Sequence, residues 1–190
     1  MNHIVQDLSS YKEIPVSSES IYDGKILHVE RWQVRCANDR LAVREVVLHK
    51  GAAAVVPVFP DGTTLLVRQH RVAIDQITYE IPAGKLDRAE EDPLECAIRE
   101  LHEETGLQAD SMTHLTTIFT TPGFCTEKIA IYLARGLHEG HTQTDEDEFL
   151  SLIRMPLSEA VRRVMQGEFT DAKTVCGLMM AQQYLLGEQA

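Results

Sequence analysis

The stretch Gly84-Lys85-Leu86-Asp87-Arg88-Ala89-Glu90-Glu91-Asp92-Pro93-Leu94-Glu95-Cys96-Ala97-Ile98-Arg99-Glu100-Leu101-His102-Glu103-Glu104-Thr105-Gly106-Leu107 decides how the rest of the chain is read. Its second half carries the signals of a helix. Asp92 can cap the start, Pro93 suits the first helical position, and Glu95 stands where a capping-box carboxylate reaches back. Gly106 supplies the left-handed residue that ends many helices. Leu94, Ile98, Leu101 and Thr105 then line one face, which we expect to meet the core.

On the neighbouring face Glu100, Glu103 and Glu104 fall at i, i+3 and i+4, so their carboxylates crowd together. An exposed acidic face of this kind is common, and each like-charged pair costs only about 0.2–0.5 kcal/mol. In a partly buried cleft the balance changes. Carboxylates about 5 Å apart at an effective dielectric of about 20 repel by about 3 kcal/mol, which calls for a hard divalent cation or a raised pKa.

The context favours the cation. Tyr79-Glu80-Ile81-Pro82-Ala83-Gly84 reads as a short strand entering a turn, followed by a polar loop and the helix. This unit resembles the signature of the Nudix hydrolases, G-x5-E-x7-R-E-U-x-E-E-x-G-U, with U a bulky aliphatic residue. The matching positions are Gly84, Glu91, Arg99, Glu100, Leu101, Glu103, Glu104, Gly106 and Leu107. One departure stands out, since six residues separate Gly84 from Glu91 where the family has five. Glu90 would repair that gap and lengthen the next one. Glu91 is preferred because it keeps the spacing to Arg99, its expected ion-pair partner.

The rest of the chain fits a soluble globular protein. A length of 190 residues with 44% hydrophobic and 25% charged content suits one domain with a sizeable core. A formal charge of −11 speaks against nucleic acid as a bulk partner but leaves room for a small phosphorylated substrate reached through metal ions and local cations. Cys36, Cys96, Cys125 and Cys176 are scattered without metal spacing and are expected as buried thiols in a reducing cytoplasm. No signal-peptide pattern opens the sequence and no run of 18 apolar residues suggests a membrane span, so a cytosolic protein is expected.

Residues 1 to about 20 are polar and weakly patterned, which predicts a loosely docked lead-in. Alternation predicts a strand over Ile26–Arg35, and Leu41–His49 predicts the second arm of a hairpin. Trp32, the single tryptophan, reads as core packing, as an adenine stacking platform or as a dimer contact. Gly51–Phe59 predicts a central strand, with Thr64–Gln69 returning antiparallel after the Pro60-Asp61-Gly62 turn. Arg68 and Arg71 at that strand's end could be solvated or could grip a diphosphate. Strands are expected over Met112–Thr120, Glu127–Arg135 and Phe149–Met155, with Thr121–Glu127 a turn-rich loop and His138–Glu148 an acidic one. Helices follow from Leu157 to about Gln166, and from a Thr170/Asp171 cap to about Leu186 with Val175, Leu178, Met179 and Gln182 on one side. The Met179-Met180 pair is expected in the core.

Beyond the signature, residues 22 to 185 resemble the ADP-ribose pyrophosphatase branch of the Nudix hydrolases. The likeness is carried by Arg44–His49, Leu66–Arg71, Glu80–Leu86 and Pro122-Gly123-Phe124, with Pro122 lying 15 residues past Leu107 where that branch has a marker proline. The resemblance implies an α/β fold, a mixed and partly antiparallel sheet sandwiched between helices, with an N-terminal β-hairpin extension. It implies residues 1–50 as lead-in and hairpin, a candidate dimerisation element, and 51–190 as the Nudix hydrolase domain. A homodimer without nucleic-acid or membrane partners is therefore expected.

The implied chemistry is hydrolysis of ADP-ribose to AMP and ribose 5-phosphate with Mg²⁺ or Mn²⁺. Glu100, Glu103, Glu104 and the Ala83 carbonyl would hold metal, joined by Glu148 from the acidic loop. Arg99 with Glu91 would lock the helix to its loop. Glu146 would be the base, with Glu103 next in line. Arg68, Arg71, Glu80, Pro122, Gly123, Phe124 and Trp32 would form the substrate-binding set. Two other readings stay open: the same chemistry on another nucleotide sugar or dinucleotide, and a non-catalytic nucleotide sensor.

Overall fold

The computed structural model describes residues 11–88, 90–139 and 151–188. They form two compact units, one of the described residues up to His49 together with Thr121–Glu127, the other of Lys50–Thr120 with Lys128 onward.

The first unit is a three-stranded antiparallel sheet in the order β1-β2-β3, with β1 Ile14–Asp23, β2 His28–Arg35 and β3 Leu41–Leu48. The hairpin of β2 and β3 pairs Trp32 with Arg44 and turns through Asp39, which adopts φ 62°. The expectation of a loose lead-in is corrected here for the described part. Ile14–Asp23 is a strand, registered on β2 from Ile14 opposite Arg35 to Asp23 opposite His28, with two irregularities. Every residue of β1 is exposed, so the period-2 burial that marks strands in a sequence is absent from it. The loop at Thr121–Glu127 joins this unit by backbone bonds to Val47, whose N–H donates to the Phe124 carbonyl at 2.7 Å.

The second unit is built on a four-stranded mixed sheet in the order β7-β4-β9-β8. Its strands are β4 Ala52–Pro57, β7 Ala83–Lys85, β8 Leu107–Phe119 and β9 Lys128–Glu139. β4 and β9 are parallel, and the outer pairs are antiparallel. Covering both faces explains why β4 reads as an uninterrupted apolar run. Ala53 and Val55, with Ala130, Tyr132 and Ala134, face α1 Pro93–Thr105 through Cys96, Ala97 and Leu101. Ala52, Ala54 and Val56, with Ile129, Ile131 and Leu133, face the opposite core with Leu66, Ile81 and Phe169. That side is closed by α2 Leu157–Met165 and α3 Ala172–Glu188, which contribute Leu157, Ala160, Leu178 and Ala181. Gly177 lets α3 approach closely, since a Cβ there would stand 2.8 Å from Ile81 and 3.0 Å from Val56.

Three expectations about strands and helices are corrected. The strand after the Pro60 turn, β5 Thr63–Arg71, leaves the β4 sheet and pairs with β6 Gln76–Glu80 and β10 Ser151–Pro156. An isolated bridge, Val58 to Thr64, and the Phe59 N–H donating to the Thr63 carbonyl at 2.9 Å mark the hairpin that the turn suggested. On α1 the buried residues are Cys96, Ala97, Glu100 and Leu101, while Ile98 is 48% exposed. On α3 the core face is Thr174, Gly177, Leu178 and Ala181, and both Met179 and Met180 are exposed. In each helix, small residues lie beside one buried leucine, Leu101 or Leu178, where the backbone approaches the sheet, while Ile98, Met179 and Met180 are turned outward. Of the cysteines, all free, only Cys96 is buried.

Candidate functional site

The start of α1 is fixed by Asp92, whose Oδ1 accepts from the Leu94 N–H at 2.9 Å, and its end by Gly106 at φ 71°. Leu101, fully buried, anchors the helix against β4, an interaction whose loss to alanine costs about 2–5 kcal/mol. That anchoring turns the acidic face toward the short strand β7. Glu100 is only 9% exposed, and its carboxylate lies directly over Gly84, where a Cβ would meet Oε1 at 1.9 Å. Glu104 reaches the same strand, its Oε2 accepting the Ala83 N–H at 3.1 Å. Ala83, Gly84, Glu100 and Glu104 are thus gathered at one place, with Glu103 alongside, its side chain 41% exposed.

Arg99 gathers the carboxylates. Its guanidinium donates to Glu100 at 2.6 Å, to Glu103 at 2.9 Å and to the Lys85 carbonyl at 3.1 Å, and its Nε lies 3.5 Å from Glu91. Glu91 in turn accepts the Asp87 N–H at 2.6 Å, which ties the polar loop to the helix. Partial burial works against the Arg99 charge, but Glu100 and Glu103 hold its pKa above the ordinary range. Cys96 completes this back wall. Burial pushes its thiol up to about 12, so it stays protonated and donates toward the Gly84 and Lys85 carbonyls at 3.6 and 3.5 Å.

Next to this lies a buried ion cluster that begins at Glu80, three residues before Ala83. Arg71 grips Glu80 in a two-pronged pair, both bonds 2.7 Å, and Thr78 donates to it at 2.7 Å. Lys173 from α3 also donates to Glu80 and lies 3.1 Å from Asp171. Burial by itself raises the Glu80 carboxyl, but Arg71, Lys173 and Thr78 together bring it down to about 2. The Arg71 side chain is half-exposed and senses the charge of Glu104. Arg68 donates to the Ser151 hydroxyl at 3.1 Å instead.

Lys173, Thr78 and Thr174 escaped the sequence reading, as did the pairing of Asp171 with Lys173. Asp171 was legible as a helix cap, and it does accept the Thr174 N–H at 3.0 Å. Nothing in the sequence signalled that α3 would set Lys173 against Glu80 or that the Ile81 N–H would donate to Thr174 at 2.9 Å.

Trp32 is half-buried on β2, its indole N–H donating to Glu30 at 2.6 Å, and Pro122, Gly123 and Phe124 are exposed in the loop beside β3. All four belong to the first compact unit, whereas the glutamates belong to the second. Glu146 and Glu148 lie outside the described residues.

The model of the NUDIX domain matches residues 48–176. The chain belongs to the Nudix family. A methanol dehydrogenase activator from Bacillus methanolicus is 37% identical over 95% of this chain and 96% of its own length. An ADP-ribose pyrophosphatase from Bacillus subtilis (strain 168) is 37% identical over 92% of this chain and 95% of its own. Among solved structures, an ADP compounds hydrolase superposes with a TM-score of 0.83 at 26% identity, covering 93% of this chain and 96% of that one. The Nudix match makes the chain a pyrophosphohydrolase with the Nudix fold.

Nudix hydrolases generally need divalent metal ions. Among the described residues no three acidic, His or Cys side chains are already gathered around one point as ligands, Arg99 being in contact with two of the glutamates. The donor set nonetheless suits a hard cation. It is all oxygen, and the Glu100 carboxylate is pressed onto a glycine that leaves that space open to it by lacking a side chain. Among the described residues no helix is long and apolar enough to cross a membrane.

Proposed function

We propose that the protein hydrolyses ADP-ribose to AMP and ribose 5-phosphate, with Mg²⁺ or Mn²⁺ held by Glu100, Glu103, Glu104 and the Ala83 carbonyl, and by Glu148. The observation that carries this reading is the Glu100 carboxylate seated over Gly84 while Glu104 is tied to the Ala83 N–H, which brings two anions onto one short backbone segment. The ADP-ribose assignment rests on the names of similar proteins, an ADP-ribose pyrophosphatase and an ADP compounds hydrolase.

In the reaction a water adds across the diphosphate, one phosphorus taking its hydroxyl and the other leaving as a phosphate monoester. When bound, a divalent ion supplies positive charge to the phosphate oxygens and acidifies a nearby water. The chain's own residues do the rest. Arg99 and Glu91 hold the helix against its loop, so that the carboxylates keep their positions. Arg71, half-exposed beside Glu80, binds a diphosphate oxygen in this reading, with Arg68 on the same strand. Glu146 takes the proton of the attacking water, with Glu103 as the alternative. Pro122, Gly123, Phe124 and Trp32 recognise the nucleoside and terminal ribose.

The protein acts as a homodimer in this reading. Ile14, Val16, Tyr22, Leu41 and Val43 leave large apolar side chains exposed on the β1-β2-β3 sheet, surface that a second copy would cover. Residues 1–50 serve that contact, and 51–190 form the catalytic domain. Four free thiols agree with a reducing cytoplasm.

A panel of ADP-ribose, ADP-glucose, UDP-glucose, GDP-mannose and NADH, with Mg²⁺ or Mn²⁺ and product identification, tests the substrate. ADP-ribose is expected to give the highest kcat/KM. Preference for any of the other four would remove the ADP-ribose assignment and leave the Nudix chemistry standing.

A further inference from the structure

We infer that Lys173 is a positioning residue for the substrate diphosphate: by sharing Glu80 it keeps Arg71 available to bind phosphate. The inference rests on the reading that Arg71 contacts the diphosphate. Four charges meet here, Arg71 and Lys173 against Glu80 and Asp171, so the cluster is balanced. Glu80 is 3% exposed at its side chain and cannot turn to water, so its charge must be met by the groups around it. Arg71 spends Nε and one terminal nitrogen on it, and the other terminal nitrogen is not part of that fork. Lys173 is itself largely buried, at 12% exposure, and bridges Glu80 to Asp171.

Removing the Lys173 charge would leave two carboxylates facing one arginine. The local balance would turn negative, Arg71 would be drawn inward onto both, and an anionic substrate would meet repulsion on entry. The effect falls on binding, because the charge of the diphosphate is present in the ground state as well as in the transition state. Lys173 sits on α3, far along the chain from Arg71 and Glu80, and its ammonium is engaged by Glu80 and Asp171. The metal face should therefore keep its turnover.

The test compares steady-state kinetics with ADP-ribose and saturating Mg²⁺ for the wild type, Arg71→Ala, Lys173→Met, Lys173→Arg and the pair Asp171→Asn with Lys173→Met. Lys173→Met is expected to raise KM about tenfold or more with kcat within about threefold. Lys173→Arg should stay within about threefold of wild type in both. The pair, which restores the charge balance, should recover most of the lost affinity, something a purely structural anchor would not do. If Lys173→Met does not fold, the arginine variant and the balanced pair still decide the matter. The inference is overturned if Lys173→Met lowers kcat with KM unchanged, or if the balanced pair binds no better than Lys173→Met. If Arg71→Ala leaves KM unmoved, the reading of Arg71 itself falls, which is a separate result from failure at Lys173 alone.

Discussion

The Glu100 carboxylate occupies the space that a side chain at Gly84 would need, with Oε1 1.9 Å from the position of a Cβ. The clash is with the end of a flexible side chain rather than with backbone. Gly84→Ala should therefore be relieved by moving the carboxylate, at a stability cost of about 1 kcal/mol or less, while activity falls about 100-fold or more if Glu100 is the metal ligand proposed above. Thermal unfolding and kcat/KM measured on the same preparation check this. A large loss of stability with normal specific activity of the folded fraction would contradict it.

Glu104→Gln should keep the fold, since an amide oxygen can still accept the Ala83 N–H that Glu104 now binds at 3.1 Å. The lost charge should lower kcat by about 10³ or more, the scale of removing a transition-state stabiliser. Turnover within tenfold of wild type at saturating metal would take Glu104 out of the metal site.

Glu80 ties stability to pH. Its carboxyl titrates at about 2 in the folded protein against 4.5 ordinarily, so its contribution is complete above about pH 4.5 and disappears as pH falls toward 2. The linkage amounts to about 3 kcal/mol as an upper figure. Urea unfolding of wild type and Glu80→Gln between pH 5 and pH 2 should show a stability gap that narrows with acid. A gap of constant size would mean that the carboxylate's charge is not what stabilises the cluster.

The acidic segment gives the fourth prediction. With Glu146 as base, Glu146→Gln depresses kcat and leaves the metal concentration for half-maximal rate unchanged. With Glu148 as ligand, Glu148→Gln needs more metal. If both variants are fully active, the base moves to Glu103.

What the sequence determined by itself was local. Asp92 and Gly106 bound α1 because a cap is a matter of a few adjacent residues, and the run of β4 reads as buried because both of its faces are covered. The glutamate spacing on α1 places Glu100, Glu103 and Glu104 by helical geometry alone, and the Glu91–Arg99 spacing placed that pair within reach.

Only the tertiary structure decided what depends on distant partners. β1 is exposed along its whole length and is a strand because β2 supplies its hydrogen bonds. Cys96 and Ala97, not Ile98, face the sheet because α1 lies close enough to favour small side chains, and Met179 and Met180 point outward for the corresponding reason on α3. Lys173 meets Glu80 across 93 residues of chain. No periodicity or cap encodes such a contact, because it exists only once α3 has packed its Gly177 onto Ile81 and Val56 and carried the start of the helix to the site.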